Sequence, residues 1–569
     1  MEAIKNSRKN IVIAIIGIFF CTTAIYWQSA FFDLVWDDYG VIIRNEKIRS
    51  IPAALSTFYH RAGSNVKYDP AAMTASNWRP LRTVVHAITY KFFQLEPFWY
   101  HLLNIIFHGL VAVMLFLLLR RITGDMLAAM IGALLFAVHP VNTEAVCWAK
   151  SLEDLMAAFF MLSSFLLILN LKNSKAEIEQ SQLQRNVKHS NSNVQRQKYN
   201  KYNLTIAILA CLTFGLAITA KLSVIFFPLF MLLFIALKKW QNAKNVSKSA
   251  LKWPIGTSLV MLLIAGAGVI ARSTVLHKVA QSGYITGNCW TTWLSMPRIF
   301  LRYLRIELLP WPLFADYQNY PYATTMSDGV AWFYTLSFII LFCALTWLFI
   351  RKKLLAPWLW FWCALIPFSN IIAMKQLGAE RFLYIPTIGV AWLGAELFKR
   401  FSAQAAQNAK SPIMPRLKLV TALILISFSL ITVQRSLDWS SEVALWETTV
   451  LQFPGSDRPR QNLIKTYNRQ QQPDRALPYA LKLAEEFPTR DNIILCGYTL
   501  CLNRRYQTGI KILAGQKADI VLNNAGAAAA QRGDLNAAER CFSLAASLAP
   551  NVAKYRINLQ MLHRQRNAQ

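Results

Sequence analysis

Eleven apolar stretches, each close to the length of a membrane crossing, constrain this chain more than any other feature. They lie near 11–31, 102–119, 126–146, 155–170, 204–220, 222–238, 255–271, 329–350, 355–373, 382–398 and 416–434. A bilayer core about 30 Å thick is crossed by about 20 apolar residues in a helix, and in lipid a spanning segment must satisfy its own backbone hydrogen bonds, which helices do. The composition agrees. Only 16% of the 569 residues are charged and 55% are hydrophobic, whereas soluble chains carry roughly 25% charged residues. A soluble enzyme is excluded. Lys and Arg outnumber Asp and Glu, 60 to 29, a balance that suits nucleic acid or an anionic membrane surface. Beside apolar runs of this length it indicates membrane lipids, and no nucleic-acid partner is expected. The nine cysteines are scattered without a CxxC pair, so neither a disulfide framework nor a zinc site is implied.

Charge sets the expected orientation. The first run follows Lys5, Arg8 and Lys9, and no small-residue cleavage site comes before Phe31–Phe32, so it reads as a retained anchor. With the N-terminus in the cytoplasm, the cytoplasmic connections hold Arg120–Arg121, the stretches Lys172 to Lys201 and Lys238 to Lys252, Arg351–Lys353 and Lys399 to Lys418. This is the positive-inside pattern. Two long loops, 32–101 and 272–328, then face the other side together with everything after Arg435. The segment 171–203, rich in Asn, Gln, Ser and Lys, reads as a flexible cytoplasmic loop with no chemistry of its own.

The apolar runs stop at residue 434 and a shorter period begins. Phe453–Pro454 recurs 34 residues later as Phe487–Pro488, the spacing of a tetratricopeptide repeat. The stretches 462–488 and 524–550 align, and each carries a small-residue pair (Ala476 and Ala480; Ala537 and Ala538) where two helices must approach closely. The stretch 491–517 reads as a degenerate copy. The expected architecture is therefore all-α: a polytopic helix bundle of about eleven spans over 1–434, then a tetratricopeptide-repeat solenoid over 435–569. The solenoid is either a platform for a peptide or partner, or a cap on the membrane part.

Charges at a membrane are costly, so those at the outer ends of spans are the first candidates for chemistry. Asp37 and Asp38 follow the first span. Being adjacent they point in different directions, so one can act as a base while the other orients it; a solvated turn is the alternative. Arg79 stays charged and can grip phosphate with two prongs. His101 and His108, seven apart on one helix face, suit packing better than ligation. The third span ends with Pro140, able to break the helix, among His139, Glu144, Lys150, Glu153 and Asp154; Lys221 lies on the same outer side. Glu380, Arg381 and Tyr384 open the tenth span, with Arg381 either a clamp for lipid phosphate or a snorkelling anchor beside Glu380. Arg298, Arg302 and Arg305 form a basic stripe suited to lipid headgroups.

The ordered set VWDD (35–38), WRPL (78–81), YHLLN (100–104), HPVNTEAV (139–146), ERFLYIP (380–386) and the C-terminal array resembles the transmembrane and tetratricopeptide-repeat protein O-mannosyltransferases and their bacterial relatives, polytopic glycosyltransferases of the GT-C class. The resemblance covers nearly the whole chain. It implies an inverting transfer of a sugar, typically mannose, from a polyprenyl-phosphate carrier to a protein hydroxyl, in a cavity facing the outer side of a bacterial inner membrane. It puts the presumed base on Asp37 or Asp38; Arg79 and Arg381 are the candidates for holding the departing phosphate. Two positions depart from the family pattern. Asn142 stands where a second histidine is common, and Leu152 where a basic residue is common, with Lys150 as the nearby substitute. The oligosaccharyltransferase signature WWDYG is absent, which argues against transfer of a whole glycan to Asn.

Other readings remain open on the residues alone. One keeps the donor but gives it a lipid or envelope-glycan acceptor; the solenoid, suited to an extended peptide, argues for a protein instead. Another is a membrane scaffold or transporter with a docking arm, for which the clustered acids and arginines have no use. No cofactor is expected beyond the lipid-linked sugar as donor substrate. Adjacent carboxylates also suit a cation, so a divalent metal stays open, with metal-independence favoured by the resemblance.

Overall fold

The computed structural model describes residues 2–59, 78–171, 192–241, 248–276, 283–317, 320–374, 376–407 and 413–567. Residues 60–77 of the first long loop and 172–191 of the connection read as a cytoplasmic loop lie outside the described residues. Among those described, every regular element is helical. The chain forms two compact units, Met1–Tyr317 with Pro321–Ser441, and Glu442–Gln569 with Gln318–Tyr320.

In the first unit, among the described residues, eight helices are long and apolar enough to cross a membrane: Arg8–Phe31, Pro97–Thr123, Ala149–Leu169, Gln197–Ala220, Leu222–Gln241, Leu251–Leu276, Gly329–Arg351 and Ile413–Leu437. The protein is a multi-pass membrane protein. Local chemistry sets where these helices stop. Pro97 starts its helix, where a missing N–H costs nothing, and Gly124 ends it in a left-handed conformation (φ 69°) open to glycine without strain. The Asp125 carboxylate then caps the next helix by accepting from Ala128 N at 2.9 Å.

The expected third span is two apolar helices, Met126–Ala137 and Pro140–Cys147, bent by 48° at the break, which together are long enough for a ninth crossing. Pro140 has no N–H to donate, and the carbonyls freed at the break are taken by side chains: Asn142 Nδ2 donates to Phe136 O at 2.7 Å and Thr432 Oγ1 to Val138 O at 2.7 Å. Broken helices are tolerated at membrane depth where protein covers them in this way.

The two remaining expected spans differ from the reading. Run 355–373 is a helix of 11 residues, Leu355–Leu365, with one further turn, shorter than a crossing. Run 382–398 begins as a turn at Glu380–Leu383, and its helix, Thr387–Ala406, carries Glu396, Lys399 and Arg400. Both pack through close backbone approach. A Cβ on Gly132 would meet Ala391 O at 2.9 Å, and one on Gly389 would meet Pro357 O at 2.7 Å. Small residues at helix contacts serve this purpose in membranes.

The second unit is a run of antiparallel helix pairs: Asp457–Arg469 with Pro473–Glu486, Arg490–Leu502 with Tyr506–Gly515, and Asp519–Gln531 with Leu535–Leu548. It is a tetratricopeptide-like solenoid. The turn inside each pair uses one left-handed residue, Gln471, Arg504 or Gly533, so the stretch read as degenerate keeps the same backbone device. Ala476, Ala480, Ala537 and Ala538 are buried at the helix contacts.

Candidate active site

The site is built on a tight turn. Trp36 holds a left-handed backbone (φ 56°), an outlier for a bulky side chain, and its ring stacks on Trp148 at 4.7 Å with 10° between planes. Asp38 is the staple. One carboxylate oxygen accepts from Val35 N at 2.9 Å and the other from Lys150 N at 2.8 Å, while Trp148 Nε1 donates to Val35 O at 3.2 Å. Burial pushes the Asp38 carboxyl up to about 7, the two backbone N–H groups pull against that, and the charge of Asp37 adds to it. The adjacent acids thus differ in setting: Asp38 holds the backbone of the turn through two N–H groups.

Asp37 is left more open, its side chain 22% exposed, with Lys150 Nζ 2.5 Å from its carboxylate. The same ammonium lies 4.4 Å from the centroid of Trp148, a cation–π contact. Behind this pair Glu153 is gripped by Arg79 Nε at 3.3 Å and by Arg82, with Lys221 at 4.0 Å. Lys221 Nζ meets Asp154 at 2.5 Å. Arg381 pairs with Glu144 and also donates to Gln376 Oε1 at 2.8 Å. Burial alone would lower the Arg381 pKa; Glu144, Asp154 and Asp37 outweigh it and raise it, so all three carboxylates act on one guanidinium. Arg79, Arg82, Lys150, Lys221 and Arg381 are thus interleaved with Asp37, Glu144, Glu153 and Asp154 through these ion pairs.

Three expected site residues are committed elsewhere. His139 Nε2 bonds Glu307 O at 3.0 Å and its ring packs on Phe428. Tyr384 shares a 2.8 Å hydrogen bond with His108 Nδ1, and His101 Nε2 lies 3.3 Å from Asp33 O, so both histidines of the second span serve packing. Glu380 is not the neighbour that neutralises Arg381. It accepts from Phe314 N at 2.6 Å and from Arg435 Nη2 at 3.3 Å. The basic stripe is also only partly external: Arg302 is buried, donating to Tyr317 Oη at 3.1 Å and Pro312 O at 2.9 Å. Reading the sequence misses Arg82. Its signal is helical spacing, three residues after Arg79 and one turn into the Pro80–Phe93 helix. Among the described residues no group of three or more His, Cys, Asp or Glu could hold a metal ion.

No family model matches the chain. It is 34% identical over 143 residues to the mouse protein O-mannosyl-transferase TMTC3, covering 25% of this chain and 15% of that one. Longer matches are to Drosophila melanogaster protein O-mannosyl-transferase Tmtc3, 23% identical over 79% of this chain and 52% of the relative, and to Caenorhabditis elegans protein O-mannosyl-transferase F38B6.6, 24% identical over 76% and 57%. The chain is a relative of the TMTC protein O-mannosyl-transferases. It spans about half the length of these longer-matching relatives. Asn142 closes the helix break, Leu152 is fully buried where its helix begins, and Lys150 pairs with Asp37.

Proposed function

We propose that this protein transfers mannose from a polyprenyl-phosphate carrier to a Ser or Thr hydroxyl of a protein on the extracytoplasmic face of a bacterial inner membrane, as an inverting enzyme of the GT-C class. Residues 1–434 carry the catalytic domain, and 435–569 a repeat domain that binds the acceptor peptide. The observation that carries this reading is the Asp37–Lys150 pair: a partly open carboxylate, 2.5 Å from a lysine, at the edge of a buried cationic cluster. The names of the relatives supply the sugar and the acceptor class. The basic short connections supply the orientation.

The chemistry follows from the groups. An acceptor hydroxyl needs a base within hydrogen-bond reach as it attacks, and Asp37 is that base, since both oxygens of Asp38 already hold backbone N–H groups. The leaving phosphate needs fixed positive charge in a site with little water. Arg79, which shares Glu153 with Arg82, and Arg381, held by Glu144 and Gln376, supply it.

The test is transfer of label from radiolabelled polyprenyl-phosphate mannose to envelope proteins in membranes containing the protein. Wild type labels protein and Asp37→Asn does not. Equal labelling by the two would refute the base, and label recovered only in lipid or glycan would refute the acceptor.

A further inference from the structure

We infer that Lys150 is a shared counter-ion that passes from Asp37 to the leaving phosphate during the transfer. This rests on the proposed function and adds a coupling to it. The other carboxylates of the cluster are sealed: side-chain exposure is 8% for Glu153, 3% for Asp154 and 0% for Glu144, while their cations run from 3% for Arg82 and 6% for Lys221 to 10% for Arg79 and 13% for Arg381. Asp37, at 22%, is the carboxylate that opens outward, and its partner Lys150 is 12% exposed. Lys150 is also held independently of Asp37. Its backbone N–H is fixed on Asp38 and its ammonium lies on the Trp148 ring. A lysine is a point charge on a flexible stem, so a small swing changes its partner without moving the backbone.

The charge balance of the reaction calls for such a swing. The acceptor oxygen bonds to the anomeric carbon, the bond from that carbon to the phosphate oxygen breaks, and its electron pair stays on the phosphate. The hydroxyl proton goes to Asp37. The donor phosphodiester carries one negative charge; the product monoester, with a second pKa near 6, carries about two. As Asp37 loses its charge, the phosphate gains one, and Lys150 stands between them. The arginines cannot do this, because Glu144 and Glu153 do not change charge.

The amide of Asp37→Asn mimics the protonated acid. Binding of polyprenyl phosphate to the full-length protein in nanodiscs is compared for wild type, Asp37→Asn, Lys150→Gln, Lys150→Met and Asp37→Asn/Lys150→Gln, each checked for an unchanged melting temperature. Asp37→Asn should bind about tenfold more tightly than wild type, the scale of one freed neighbouring charge. The lysine variants should bind more weakly, and the double variant should show no gain over Lys150→Gln. If wild type binds but Asp37→Asn shows no gain, or the gain survives without Lys150, the exchange is wrong and the proposed function stands. If wild type binds no polyprenyl phosphate, the proposed function itself falls, and the exchange with it.

Discussion

Glu144 and Arg381 lie 237 residues apart, yet they meet at two points: one carboxylate oxygen takes the Arg381 backbone N–H at 2.8 Å and the other takes the guanidinium. The contact ties the broken third span to the turn at Glu380–Leu383. Because Glu144 is fully buried, Glu144→Ala leaves a buried guanidinium short of its counter-charge, a loss of about 3–5 kcal/mol. Thermal unfolding in detergent should show a large fall for Glu144→Ala and a smaller one for Glu144→Leu/Arg381→Met, which removes both charges. A single variant as stable as wild type would mean that the pair holds nothing together.

The two neighbouring aspartates should separate by readout. Asp38→Ala strands the N–H groups of Val35 and Lys150, each a buried donor worth about 1–3 kcal/mol when unpaired, and releases the strained turn at Trp36. It should lower the melting temperature and transfer together. Asp37→Asn should keep the melting temperature and lose transfer. If Asp38→Ala melts like wild type, its carboxylate is not the staple.

What could be read from the sequence follows from how local each signal is. Apolar runs, helix breaks and the 34-residue phrase are local, and the long spans and the helix pairs appear where they say. The cluster around Trp148 was half legible. Asp37, Asp38, Glu144, Lys150, Glu153 and Asp154 announce themselves as charges where lipid forbids them, but a sequence does not say who pairs with whom. For Arg381 the sequence offers a phosphate clamp or an anchor beside Glu380, whereas the chain brings it Glu144. Arg302 was counted with Arg298 and Arg305 as one stripe because spacing gives a face, not the loop at 312–317 that buries it. Runs 355–373 and 382–398 match the others in apolar length, yet the first is broken after an 11-residue helix and the second forms a helix that carries Glu396, Lys399 and Arg400.

Inside the second unit, Gly509 is the tightest point. A Cβ there would meet Gly497 O at 2.7 Å and Cys501 N at 3.0 Å, both backbone atoms, which no rotamer change can move. Gly509→Val should therefore cost about 1–3 kcal/mol, the range for overpacking. Hydrogen exchange on the whole protein should show the loss around 490–515, whereas Gly515→Ala, with nothing within 4 Å of its added carbon, should leave exchange unchanged. Equal protection in both variants would contradict the close packing of the middle pair.

Stability should also fall as pH rises towards mild alkali. Burial pushes Glu307 from 4.5 up to about 8 and Glu380 from 4.5 up to about 7, with Asp38 raised from 3.8 to about 7. Between those ordinary and raised values the folded protein keeps protons that the unfolded chain has released. By linkage, stability is then highest below the unfolded values and is lost as pH climbs to the folded ones, by up to about 1.4 kcal/mol per pH unit for each group. Glu307 is the best probe. One of its oxygens accepts from Thr387 Oγ1 at 2.7 Å, and the other, with no hydrogen bond among the described residues, lies 3.5 Å from His139 Nε2. Melting temperature measured from about pH 5 to about pH 8 should decline for wild type and decline less steeply for Glu307→Gln throughout, the difference in slope fading only near pH 8, where Glu307 ionises in the folded protein as well. Parallel curves would mean that Glu307 is already ionised in the folded protein.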